Sequence, residues 1–215
     1  MSSKKRDWSY ILVSFVVLIF GIWAVPKIVD RMQGHELVKF EKVPDFSFTN
    51  QDGEIITQKD FEGKVYVLEF FFTSCPTICP VMNTNMLKLQ DAYYGNPDFG
   101  IVSISINPSI DTPEVLKAYM KEKGVTMKNW EFLTGPQQEV LNFSNTGFRL
   151  YAGINDQEPG GFEHSGLFAL VDKDGYIRSR VISEGGYDNP IKYYDGLSLK
   201  GIQMIKEDIA ILLNQ

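Results

Sequence analysis

The stretch from Ser9 to Val25, SYILVSFVVLIFGIWAV, carries no charged residue, and it sets the start of the chain apart from everything after it. A helix of this length lies at the short end of what crosses a bilayer, and Trp8 and Trp23 fall near interface depth. The expectation is a short tail over 1–8 and a single transmembrane anchor over 9–25. A cleaved signal peptide is the alternative, with Lys4, Lys5 and Arg6 as its basic region, but no clean A-x-A-like site follows Gly21. Lys27, Arg31, Lys39 and Lys42 match the basic residues ahead of the run, so charge does not set an orientation. A polar linker is expected over 26–40, and His35 within it reads as a solvated residue.

The remainder of the chain, 41–215, reads as one globular domain. A domain of that size buries well over half of its unfolded surface and folds without a disulfide framework, so its two cysteines are functional candidates. A net charge of −6 with no basic block argues against nucleic acid as a partner.

FSFTNQDGEIIT alternates around Asp52-Gly53 as a hairpin does, and KVYVLEFFF, 64–72, is a buried-strand run. Helical patterning covers 81–92, and FGIVSISI, 99–106, suits a central parallel strand. Asp111-Thr112-Pro113-Glu114 opens another helix, with a capping side chain at 111 or 112, Pro113 in its first turn and Gly124 closing it. Then come a short strand over 130–133, a helix over 136–143, a strand over 167–171, a Lys173-Asp174-Gly175 turn into a strand over 176–182, and a closing helix over 199–213. The order predicts an α/β chain, a thioredoxin-like fold with an extra N-terminal β-hairpin, preceded by a single transmembrane helix.

Thr73-Ser74-Cys75-Pro76-Thr77-Ile78-Cys79-Pro80 follows a strand, where sites in α/β sheets cluster. Pro80 fits the first position of the next helix, which makes Cys79 resemble the N-cap. The positive helix end favours a thiolate, the form that binds metal and attacks disulfides. Three intervening residues let two sulfurs converge on a soft metal or join as a disulfide. Of the two histidines, His164 is the candidate third ligand, on a glycine-rich loop entering the strand at 167–171. Two thiolates and an imidazole suit Cu(I) and resemble the donors of thiolate-rich Cu(II) centres; zinc is chemically compatible. Met82 and Met86, four apart, read as a core-facing stripe.

These residues carry a family resemblance. The strand over 67–72, the C-P-x-x-C-P loop, Asp111-Thr112-Pro113, Phe132-Leu133-Thr134-Gly135, Phe148-Arg149-Leu150-Tyr151 and Glu163-His164-Ser165 ahead of Leu170 to Gly175 are similar, in order and spacing, to the Sco/SenC proteins. The resemblance covers about 43–196. It departs from the usual pattern at 106–110, Ile-Asn-Pro-Ser-Ile, and at Glu163, where an aspartate is usual. It implies copper bound by Cys75, Cys79 and His164, and a copper chaperone that helps metallate the binuclear copper centre of cytochrome c oxidase or reduces its thiols. The implied partners are a copper-receiving oxidase subunit and an unidentified copper donor. The implied place is the inner membrane of a bacterium, with the globular domain on the periplasmic side. A non-enzymatic role is expected.

The competing reading is a membrane-anchored thiol-disulfide oxidoreductase or redox sensor using Cys75 and Cys79 without metal. Its spacing is C-x-x-x-C where such enzymes use C-x-x-C. A peroxiredoxin would want a threonine three residues before its cysteine, where Phe72 and Pro76 stand.

Overall fold

The apolar run folds as helix α1, Trp8–Met32, which continues beyond Val25 to take in Lys27, Asp30 and Arg31. The computed structural model of the protein describes residues 8–32 and 36–215. Among the described residues no helix is long and apolar enough to cross a membrane, so the transmembrane anchor expected over 9–25 is without support here. His35 lies outside the described residues. The chain divides into two units, one ending at Glu36 and one running from Leu37 to Gln215.

The linker expected over 26–40 is corrected at both ends. Helix α1 occupies it as far as Met32, running on through Pro26 and the charged residues after it. Strand β1, Val38–Lys42, begins the second unit by pairing with a strand more than a hundred residues away. Local sequence conceals it, since the stabilising partner is distant and most of its side chains are charged.

Strands β2, Ser47–Asn50, and β3, Ile55–Thr57, form the expected hairpin with Ser47 opposite Thr57 and Thr49 opposite Ile55. The Asn50 side-chain oxygen accepts from the N–H groups of Asp52 (3.0 Å) and Glu54 (2.9 Å), and Gly53 takes φ +81°, a conformation that strains other residues. Strands β4, Val65–Phe71, β5, Phe99–Ser105, and β6, Trp130–Thr134, lie parallel, with Val65 opposite Phe99 and Ile101 opposite Trp130. Parallel neighbours need crossovers, here helices α2, Cys79–Tyr93, and α3, Pro113–Lys123. Thr112 caps α3 by accepting from the Val115 N–H, and Gly124 closes it at φ +77°. Every residue of β4 and β5 is buried, as continuous apolar runs between covering layers should be.

After β6, helix α4, Gln137–Asn142, passes into a π-turn over Phe143–Phe148 that ends on Arg149 at φ +55°. Strands β7, Ala152–Ile154, and β8, Phe162–His164, pair as a small separate ribbon. Strands β9, Leu167–Val171, and β10, Tyr176–Ser179, return to the main sheet beside β4. The strand expected over 176–182 breaks at Arg180, whose guanidinium is held by Asp208, and the chain leaves as the hairpin of β11, Val181–Glu184, and β12, Tyr187–Pro190. Strand β13, Tyr194–Asp195, pairs with β9, and α5, Leu199–Leu213, closes the chain with Ser198 as its N-cap. The main sheet runs β1-β10-β9-β4-β5-β6-β2-β3, so the domain is mixed α/β with its parallel strands central.

The core sits on both faces of that centre, around Val67, Leu68, Phe70, Ile101, Val102, Leu133, Phe168 and Leu170. Burying each such side chain contributes about 1.5–3 kcal/mol, which pins β4 and fixes the direction in which it delivers the next residues.

Candidate metal centre

Strand β4 hands the chain to the cysteine loop at Thr73. The Cys75 N–H donates to the Phe72 carbonyl oxygen at 3.3 Å, folding the loop back under the strand end. Thr77 Oγ1 lies 3.6 Å from Cys75 Sγ. Helix α2 then starts, with the N–H groups of Val81 and Met82 both donating to the Ile78 carbonyl at 3.0 Å. Ile78 is therefore the N-cap position and Cys79 the first helical residue, one step earlier than sequence suggests; Pro80 stands in the first turn as expected.

His164 comes from the opposite side. It ends strand β8, opposite Ala152 of β7, so it is on a short ribbon and not on the loop expected for it. Its ring packs edge-on against Phe72, with centroids 5.7 Å apart. Its Nδ1 is 3.1 Å from the Ser165 carbonyl oxygen, which can only accept, so Nδ1 carries a proton and Nε2 is the nitrogen turned toward the cysteines. That Nε2 is 3.1 Å from Cys79 Sγ. The glycine-rich segment before β8 has a packing role: a Cβ on Gly160 would come within 2.8 Å of the Phe72 ring, so only glycine lets this backbone lie against the cysteine loop.

The sulfurs of Cys75 and Cys79 and a ring nitrogen of His164 all lie within 4.8 Å of one another, and all three residues are buried. Donors about 2.0–2.3 Å from one ion in a trigonal or tetrahedral arrangement stand about 3.5–4 Å apart, so closure by no more than about 1 Å brings this set onto a metal. The donor chemistry fits a soft ion, and the bond from Nδ1 to a carbonyl is the kind of outer contact that orients a ligating imidazole. Both cysteines are free thiols. Their shared hydrogen bond, helped by His164 and nearby N–H groups against the effect of burial, pulls the Cys75 thiol down to about 3. The same contact, together with burial, pushes the Cys79 thiol up. Without metal the pair rests as one thiolate and one thiol, which is also a poise for thiol-disulfide exchange.

Met82 and Met86 are buried in the core, as their spacing implies. A broad cleft elsewhere, walled by Phe46, Phe48, Phe143 and Arg149, includes none of the three donors. Sequence reasoning misses two residues near the site. Asp111 reads in the sequence as a helix-capping option and a member of the Asp111-Thr112-Pro113 motif, with no link to the cysteines, yet its carboxylate accepts from Thr73 at the start of the cysteine loop. Glu69 is a buried acid within β4, legible in VYVLEFF as the one charge of an apolar run.

A thioredoxin-like α/β domain with two thiols and an imidazole converging at the end of its central parallel strand defines a class of redox and soft-metal proteins. Comparison with known proteins narrows the class. The SCO1/SenC family model matches residues 35–191. A SCO1/SenC family lipoprotein from Bacillus anthracis is similar in structure with a TM-score of 0.70 and 32% identity, over 83% of this chain and 98% of that one. BsSco, described as a member of the Sco family of cytochrome c oxidase assembly proteins, gives a TM-score of 0.66 and 30% identity over 83% of this chain and 96% of its own. ScoI of Bradyrhizobium japonicum, solved with copper bound, shares the fold at 23% identity and a TM-score of 0.59, over 80% of this chain and 99% of its own. The chain belongs to the SCO1/SenC family.

Proposed function

We propose that this chain is a copper chaperone of cytochrome c oxidase assembly, holding one copper through Cys75, Cys79 and His164 and serving the binuclear copper centre of an oxidase subunit. The observation that carries the reading is the convergence of two sulfurs and an imidazole nitrogen within 4.8 Å, with the imidazole Nδ1 proton held by the Ser165 carbonyl. Copper is cargo here: the residues receive it, hold it away from solvent and yield it to a subunit with thiol ligands of its own. The copper donor is a separate protein. Family membership and the similarity to a bacterial SCO1/SenC lipoprotein support a bacterial envelope setting with the 37–215 unit on the outer side of the inner membrane, and the exposed apolar side chains of α1 from Leu12 to Phe20 support attachment to that membrane. Fractionation of cells expressing the full chain tests that placement, which fails if the protein stays in the cytosolic fraction.

The unequal thiols of Cys75 and Cys79 favour a second reading, reduction of the oxidase subunit's disulfide. One comparison separates the two. In the copper reading, His164→Ala on the reduced full chain weakens Cu(I) binding by about 10-fold or more, the order seen when a ligand shell is disturbed. In the reductase reading, disulfide turnover survives His164→Ala and is abolished by Cys75→Ala or Cys79→Ala. A reduced protein that takes up no stoichiometric Cu(I) would sink the chaperone role.

A further inference from the structure

Asp111 is fully buried, and its surroundings are unusual for a buried acid. Asp172 and Asp208, the other buried aspartates among the described residues, are paired with Arg178 and Arg180. The contacts described for Asp111 are instead three donors: the Thr73 N–H, 3.0 Å from Oδ2, the Thr73 hydroxyl on Oδ1, and the Ser105 hydroxyl on Oδ2. Burying a carboxylate is expensive unless its oxygens are well bonded, so a position that keeps one needs a reason. Capping α3 is not that reason, because Thr112 performs the cap with its own hydroxyl.

The three donors come from two strand ends. Thr73 follows β4 and stands two residues before Cys75; Ser105 ends β5, and its Oγ also accepts the Asn107 N–H at 3.0 Å. Asp111 itself is fixed from behind, its N–H donating to the Asn107 carbonyl at 3.0 Å. One carboxylate thus clamps the first residue of the cysteine loop to the end of the neighbouring strand. The other cysteine is placed independently, by the start of α2, and His164 by the β7–β8 ribbon.

We infer that Asp111 is a positioning residue of the metal centre, its buried carboxylate holding Thr73 and thereby setting the distance of the Cys75 sulfur from Cys79 and His164. The inference rests on the reading of these three as ligands. An asparagine can keep the geometry: its oxygen takes the Oδ2 place, and its amide faces a Thr73 hydroxyl that is free to rotate and accept. An alanine leaves three donors without an acceptor and releases the loop.

The test uses the full chain carrying Asp111→Ala, Asp111→Asn, Thr73→Val or Thr73→Ser. It measures Cu(I) affinity by competition, the sulfur-to-Cu(II) charge-transfer spectrum, and the equilibrium of the Cys75–Cys79 pair with a glutathione buffer. Asp111→Ala is expected to weaken copper binding by about 10-fold or more and to move the charge-transfer band, with Asp111→Asn restoring affinity to within about threefold. The thiol-disulfide equilibrium is expected to move about tenfold, about 30 mV. A residue that only supports the fold would lower the melting temperature and leave the spectrum and the equilibrium of the folded protein unchanged, which overturns the inference. Should Asp111→Ala fail to fold, Thr73→Val decides: a shifted band, restored in Thr73→Ser, supports the clamp, and an unchanged band refutes it. If the wild-type chain takes up no copper, the ligand reading fails by itself, and the thiol equilibrium still reports whether Asp111 places Cys75.

Discussion

Glu69 gives the domain a pH dependence of known sign. Its side chain lies within β4 at 3% exposure; one oxygen accepts the Ser103 hydroxyl at 2.8 Å, and the other has no partner in the structure. Burial pushes this carboxyl from its ordinary 4.5 up to about 7, with the Ser103 bond opposing only part of the rise. The fold therefore favours the neutral acid. Below about pH 4.5 both folded and unfolded chains hold the proton and nothing is lost. Between 4.5 and 7 the unfolded chain gives up its proton first, and stability falls as pH rises. Above 7 the full penalty applies, about 3 kcal/mol at 1.36 kcal/mol per decade. Glu69→Gln removes the ionisation. Its amide N–H groups inherit the unpartnered place, at about 1–3 kcal/mol, but that loss is the same at every pH. Urea denaturation of both proteins under reducing conditions from pH 4 to pH 8.5 isolates the difference. With an m-value of about 2–3 kcal/mol/M, the variant's midpoint rises relative to wild type by about 1–1.5 M between the ends of that range. Two stability curves that run parallel across the range would refute this reasoning and place a proton-independent partner on the second oxygen.

Two further substitutions probe the frame that carries the site. A Cβ on Gly201 would lie 2.1 Å from the Asp195 carbonyl oxygen, so Gly201→Ala forces α5 away from β13 and lowers stability by at least about 2 kcal/mol in thermal melts; an unchanged melting temperature contradicts the packing. Arg180→Met leaves the buried Asp208 without its cation, and a loss of about 3–5 kcal/mol is expected by urea denaturation, whereas the double change Arg180→Met with Asp208→Leu recovers part of it, short by about 1–3 kcal/mol for the buried Tyr194 hydroxyl that loses its acceptor.

The parts of this fold that are legible in the sequence are those whose signal is local. The β4 run, the Asp52-Gly53 hairpin, the Thr112 cap with Pro113 and Gly124, and the closing helix over 199–213 each combine periodicity with a turn or cap within a few residues. Strand β1 escapes notice because its stabilising partner, β10, is remote in the chain, and β7 and β8 because three-residue strands have no measurable period. The break at Arg180 is hidden for the same reason: it is made by Asp208 on α5, which no local pattern announces. Within the site, the cysteine loop is recognisable from its own chemistry, while His164 is one of two histidines and its burial on β8 depends on packing against Phe72. The clamp of Asp111 on Thr73 joins positions 38 residues apart and becomes visible only once β4 and β5 lie side by side.

The proposed function stands or falls on a single copper held by two sulfurs and one imidazole. X-ray absorption at the copper edge, on the full chain loaded with Cu(I) and quantified for metal per protein, reads that arrangement without an intermediary. One copper per chain is expected, with two sulfur scatterers and one imidazole nitrogen, the nitrogen lost in His164→Ala. Sub-stoichiometric copper, or a first shell without both sulfurs, would show that Cys75, Cys79 and His164 are not the copper site.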